Sequence, residues 1–232
     1  MGLTCYLAMT AQEFRHTTPY PAWMACHFAA GGCGLSNLPQ DLPEGTLLIL
    51  DDATPFSHHD PKRILEQLQN ALAWHPAGLL LDLQRPGSED VSKLCELLTH
   101  ELPCPVIVSE LYAKELTCPV LLSPPPLLTT LSKHLAPWTG REIWLEAALD
   151  GQVITVTEEG STAVSCDIGQ LPTPWFQDKT YFCRYHWVLE DRTARFTLIR
   201  TREDLQALLD TAEKLGVKGA VGLYQELKEP TV

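Results

Sequence analysis

The stretch Ala77-Gly78-Leu79-Leu80-Leu81-Asp82-Leu83-Gln84, followed by Arg85-Pro86, decides the fold. Three leucines after a glycine, then a carboxylate, a leucine and an amide before a proline, read as a buried strand that delivers polar groups to a site. Side chains alternate along a strand, so Leu80, Asp82 and Gln84 share one face and Leu79, Leu81 and Leu83 the other. The second set is expected to pack against a helix layer, and Asp82 and Gln84 to open into a mouth at the strand's carboxyl end.

Working outward, apolar strand-like runs recur and alternate with helical patterns, the signature of an α/β protein with a parallel sheet. Strands are expected at 3–8, 46–51, 78–83, 105–109, 119–122, 142–147, 181–187 and 219–224. Helices are expected at 61–74, with Asp60 as N-cap and Pro61 in the first position, at 89–101, at 126–135, and at 202–215, capped by Thr201 and stopped by Gly216. Eight strands with intervening helices in 232 residues predict a somewhat reduced (β/α)8 barrel of the TIM type, a single domain over 1–232. Two β-rich arms around Glu159-Gly160 predict a hairpin at 152–166, inserted after the sixth strand.

Composition narrows the function classes. Seventeen basic residues against twenty-nine acidic ones give a net charge of −12, which repels nucleic-acid phosphates and anionic lipid. No basic patch offsets it, so neither nucleic acid nor membrane is an expected partner. The apolar runs are of strand length, far below the roughly 20 residues of a membrane-spanning helix. The N-terminal segment lacks the basic and apolar regions of a signal peptide, which predicts a soluble cytoplasmic protein. The eight cysteines have no paired spacing and read as buried free thiols.

In a barrel of this type the site lies at the carboxyl ends of the strands. The polar groups expected there are Asp51 and Asp52, Asp82 and Gln84, Glu110, Ser123, Glu146, Tyr185 and Trp187, and Tyr224 to Glu226. Trp144 shares a strand face with Glu146, and Trp187 with Tyr185, so aromatic rings flanking the mouth could stack on sugar rings. Trp74 and Trp138 read as covers for helix and loop contacts. His58-His59-Asp60 reads as a solvated loop, Cys26-His27 with Cys33 has no zinc spacing, and Gly31-Gly32-Cys33-Gly34 reads as a tight turn. Neither a metal nor a cofactor is expected.

These residues resemble the family 18 glycoside hydrolases, the chitinase-like barrels, especially small bacterial members acting on cell-wall or spore-coat glycans. The fourth strand of that family carries Asp-x-x-Asp-x-Asp-x-Glu, and Ala77 to Gln84 aligns with it without a gap, keeping only Asp82. The segment 181–227 is similar to the family's closing unit, with Tyr224 where the family has tryptophan. The resemblance covers roughly 46–90 and 181–227. It implies that Asp82 orients the substrate's own acetamido nucleophile and that Gln84 stands at the position of the general acid. A glutamine has no transferable proton near neutral pH, and general acid catalysis is worth ~10²–10⁴-fold. The expectation is therefore a pseudoenzyme-like barrel that binds an N-acetylated glycan, another small molecule or a protein partner at its mouth, through Glu110, Glu146, Tyr185, Trp187, Tyr224 and Glu226 beside Asp82 and Gln84. Two alternatives stay open: an active hydrolase using Glu110, Glu146 or Glu226, and an intracellular interaction or structural protein.

Overall fold

The computed structural model describes residues 3–30, 34–54, 59–74, 76–86, 89–166 and 173–228, without the side chain of Trp74. The readings made for Gly31 to Cys33, for His58 and for the Trp74 side chain lie outside them. Eight parallel strands form a closed barrel: Thr4–Met9, Pro21–Phe28, Leu47–Asp51, Gly78–Asp82, Val106–Ser109, Val120–Leu122, Ile143–Glu146 and Gly219–Leu223. Each pairs with the next, and the eighth closes on the first in the register Thr4↔Gly219 to Ala8↔Leu223. A short strand, Leu35–Ser36, adds antiparallel to the second.

Strand alternation explains the core. Ala8, Ala22, Leu47, Ile49, Leu80, Ile107, Leu121 and Val221 fill the barrel interior, with Tyr6, Met24 and Trp144 packed against them. Their neighbours Leu48, Leu50, Leu79, Leu81, Val108 and Val120 are buried on the opposite face. The flanking helices present matching apolar stripes, Ile64, Leu68 and Ala71 on Pro61–Ala71 and Val91, Leu94, Cys95 and Leu98 on Glu89–Glu101. The first of these helices starts as its sequence predicts, with Asp60 Oδ1 accepting from the Arg63 amide at 3.2 Å and Pro61 in the first turn. It ends at Ala71, and residues 72–74 continue as a 3₁₀ turn.

Three expectations need correction. The second barrel strand, Pro21–Phe28, has no counterpart in the predicted set, and with it the GLLLD strand becomes the fourth. Its sequence, PAWMACHF, hides the period of two because the register to the third strand shifts between Trp23 and Cys26, a β-bulge that puts an extra residue into the alternation. Residues 181–187 are no barrel strand. They fall in and before Cys183–Glu190, part of a separate five-stranded antiparallel sheet ordered Gly160–Ser165, Asp150–Thr157, Thr193–Arg200, Cys183–Glu190, Phe176–Asp178. The hairpin is present as Asp150–Thr157 and Gly160–Ser165, but it follows the seventh barrel strand rather than the sixth.

The chain divides into two compact units. The barrel comprises 4–123, 140–146 and 217 onward, and the second unit comprises 124–139 and 147–216 together with Leu3. In the second unit Leu127, Cys183 and Leu198 form a small core, with Ile154, Tyr181, Tyr185 and Phe196 against it. Arg200 is fully buried and donates from Nη2 to the Pro125 carbonyl at 2.9 Å and from Nε to the Phe182 carbonyl at 3.4 Å. Helix Arg202–Lys214 opens on a capping box, in which Thr201 caps the Asp204 amide and the Asp204 carboxylate accepts from the Thr201 amide. The expected stop at Gly216 is realised with φ +91°, a conformation glycine adopts at no steric cost. No helix among the described residues is long and apolar enough to cross a membrane.

The described cysteines are all free thiols. Burial pushes Cys5 and Cys183 up to about 11 and Cys26 and Cys95 up to about 12. Such thiols stay protonated at neutral pH and serve as small apolar packing groups.

Candidate functional site at the barrel mouth

The tip of the fourth strand is fixed from both sides. On one side Asp52, nearly fully buried, accepts the Gln84 amide at 3.1 Å and the Arg85 amide at 2.9 Å. On the other the Ser109 hydroxyl donates to the Leu83 carbonyl at 2.8 Å and accepts from the Leu83 amide at 3.2 Å. The Tyr112 hydroxyl caps the Arg85 carbonyl at 2.9 Å. With these backbone groups satisfied by neighbouring strand ends, Asp82 and Gln84 are held in place where the strand stops.

Asp82 Oδ1 accepts a 2.5 Å hydrogen bond from the Gln84 side-chain amide. Burial pushes the Asp82 carboxyl up; the Gln84 hydrogen bond opposes this, and the charges of Asp51 and Asp52 add to the upward shift. Across the mouth, Glu146 ends the seventh strand on the same face as Trp144, whose ring lies 5.8 Å from that of Tyr6 inside the barrel. Burial pushes the Glu146 carboxyl up, and the charges of Asp82, Glu226 and Glu110 push it further. Glu110 in turn accepts from the Ser123 hydroxyl at 2.5 Å and the Ser123 amide at 3.3 Å. Three carboxylates from three other parts of the sequence, Asp82, Glu110 and Glu226, thus bear on Glu146.

The two raised carboxyls, Asp82 and Glu146, carry a stability consequence. A carboxyl raised in the folded state binds its proton more tightly there than in the unfolded chain. Its contribution is present in full below the ordinary carboxylate range and is lost as pH rises through the raised value. Replacing Glu146 by Gln removes the desolvated charge, so Glu146→Gln is expected to raise stability at neutral pH by about 1 kcal/mol and to lessen the fall in melting temperature as pH rises above the ordinary carboxylate range. A variant that melts below wild type at neutral pH would show that Glu146 is not under this electrostatic load.

Two of the expected residues do not come from barrel strands. Tyr185 and Trp187 lie on Cys183–Glu190, in the second unit rather than on a barrel strand. Tyr185 lines an apolar hollow of about 320 Å³ with Leu128, Ile154, Tyr181 and Phe196, and Trp187 is half exposed. Tyr224 follows the eighth strand, in the short helix Tyr224–Leu227, where its ring stacks on His16 at 5.5 Å and lies 5.5 Å from Lys228 Nζ.

Solved structures of low sequence identity share this closed eight-stranded barrel. The spore cortex-lytic enzyme SleL of Bacillus cereus superposes with a TM-score of 0.59 at 10% identity, over 98% of this chain and 71% of that one. The chitinase of Chromobacterium violaceum gives 0.57 at 9%, over 95% and 93%. SleL of Bacillus megaterium QM B1551 gives 0.52 at 11%, over 95% and 70%. The fold shared with these structures is a closed eight-stranded barrel of the TIM type. No family model matches the chain, and no curated protein does.

On that fold, two further groups at the mouth come from neighbouring strands. Asp51 pairs in register with Asp82, and His27 pairs in register with Asp51. His27 Nδ1 lies 2.7 Å from Asp51 Oδ1. Sequence reasoning placed Asp51 and Asp52 at a strand end without a partner and weighed His27 only as a zinc ligand. The bulge in the second strand erases the alternation that would have shown His27 facing inward. Among the described residues no group of three or more His, Cys, Asp and Glu is arranged to hold a metal ion.

Proposed function

We propose that the barrel mouth binds an N-acetylated glycan and that the acid position of the family 18 pattern is disarmed in this chain. The observation that carries this reading is the Gln84 amide donating to Asp82 Oδ1 at 2.5 Å. It puts a side chain without a transferable proton beside the one pattern residue that is kept, at the end of the fourth strand. The shared fold with a cortex-lytic enzyme and a chitinase supports a carbohydrate as ligand. Substrate-assisted hydrolysis through position 84 is then closed, while Asp82 keeps the means to hold an acetamido group.

The test is thermal stabilisation by N-acetylglucosamine oligomers. A ligand at 100 times its Kd adds about 2.7 kcal/mol to stability, so wild type is expected to show a clear rise in Tm that Asp82→Ala abolishes. A flat Tm across the oligomer series in wild type would remove the glycan from this reading and leave the barrel as a scaffold for a protein partner.

A second reading, hydrolysis by other carboxylates, is favoured by Glu146. Its carboxyl is held toward the protonated form by burial and by three neighbouring acids, the environment that makes a general acid.

A further inference from the structure

We propose that His27, oriented by Asp51, is a general base at the barrel mouth that activates water against a bound glycan, with Glu146 as the complementary acid. The inference rests on the glycan reading and supplies what its second form lacks, a proton acceptor.

The geometry begins with the bulge. In the second strand Ala22 faces inward, in register with Leu47, and Trp23 faces outward, in register with Leu48. After the register shift Cys26 pairs with Leu50 and His27 with Asp51. The inserted residue re-phases the strand and turns His27 to the interior face that Asp51 and Asp82 share. Bulges that re-aim a side chain are over-represented next to active sites. His27, Asp51 and Asp82 then occupy one register level across the second, third and fourth strands.

The pairing fixes the tautomer. Asp51 Oδ1 accepts from the Ala53 amide at 2.9 Å and lies 2.7 Å from His27 Nδ1. A carboxylate in that position requires the proton on Nδ1, which leaves the Nε2 lone pair free to accept. The backbone at His27 is tied to the neighbouring short strand, its carbonyl accepting from the Ser36 hydroxyl at 3.2 Å. His27 and Asp51 are both only about a quarter exposed, at 28% and 21% of their side chains, so the pair reaches the mouth without being freely solvated. A histidine held by a carboxylate at Nδ1 is the arrangement that makes a general base and stabilises the imidazolium it becomes.

The step balances without position 84. His27 Nε2 takes one proton from a water molecule whose oxygen forms the bond to the anomeric carbon. The glycosidic C–O bond breaks, its electron pair goes to the leaving oxygen, and that oxygen takes the proton of the Glu146 carboxyl. Imidazolium and Glu146 carboxylate return to their starting states by proton exchange with solvent. Water attacks the face opposite the leaving group, so the configuration inverts. The second and seventh strands stand on either side of the first and eighth, which suits a base and an acid that must work on opposite faces of one sugar ring.

The experiment uses the full chain and an aryl β-glycoside of N-acetylglucosamine oligomers, with oligomer Kd, kcat and the first-formed product anomer read together. Wild type is expected to turn over slowly with the α-anomer first. His27→Gln is expected to lose about 100-fold or more in kcat with Kd unchanged, and Asp51→Asn to lose kcat with Kd unchanged, since Asp51 is a positioning residue acting through His27. Two variants on different strands guard against one of them failing to fold. Binding without turnover, a β-anomer as first product, or wild-type kcat in His27→Gln each overturns the proposal while the glycan reading stands. Absence of oligomer binding in wild type overturns both.

Discussion

Gln84→Glu is expected to raise turnover of an aryl N-acetylglucosaminide by about 10²–10⁴-fold over wild type, and to change the first product from the inverted to the retained anomer. The reason lies in the 2.5 Å contact between Gln84 and Asp82. A carboxyl in place of that amide would stand against a second carboxyl already pushed up by burial. Two such groups at hydrogen-bond distance cannot both ionise near neutrality, so they share one proton. On the proposed glycan reading, that shared proton is the one a glycosidic oxygen needs, and Asp82 would hold the acetamido group that displaces it. The backbone at position 84 is already clamped by Asp52, so the new carboxyl inherits a fixed position. The check is an anomer-resolved kinetic assay of Gln84→Glu and of Gln84→Glu with Asp82→Ala. Silence in the single variant, with oligomer binding intact, would mean that position 84 does not face the scissile bond.

Gly219→Ala is expected to destabilise the barrel by about 1–3 kcal/mol, read as a lower urea midpoint with an unchanged slope. Gly219 opens the eighth strand opposite Trp144 of the seventh. A Cβ there would lie 2.6 Å from Trp144 Cζ3 and 2.7 Å from Cε3, well inside contact distance. The indole cannot swing away cheaply. It lies against Tyr6, donates from Nε1 to Glu142 at 3.1 Å and packs on the interior cluster. The glycine therefore makes room for the tryptophan under the mouth, and Trp144→Leu combined with Gly219→Ala is expected to recover part of the loss. A single variant as stable as wild type would show that the ring has space the packing denies it.

How much of this was legible in the sequence follows from the physics of each element. The fourth strand could be read because its leucines fill both faces and its polar groups come only at the end. Helix starts at Asp60 and Thr201 could be read because capping is local chemistry, settled within four residues. The second strand could not, because a bulge destroys the period on which strand recognition depends. The run 181–187 overlaps a true strand, Cys183–Glu190, but nothing local tells a barrel strand from one in an inserted antiparallel sheet; that is decided by partners far away in the chain. The same limit governs the site. Glu110, Glu146 and Glu226 could be proposed from their strand-end positions, but the load that Asp82, Glu110 and Glu226 place on Glu146 is a product of barrel closure. Tyr185 and Trp187 were placed at the mouth only because their strand was counted into the barrel.

The insertion also shapes how the molecule comes to be folded. Synthesis delivers seven barrel strands before residues 147–216, and the eighth, Gly219–Leu223, pairs with both Ile143–Glu146 and Thr4–Met9. Until it arrives, the sheet has two unpaired edges, each able to recruit another chain. Closing it joins residues at opposite ends of the sequence, the kind of contact that slows folding most. The long excursion therefore sets a waiting time, during which an open parallel sheet must be kept from its neighbours.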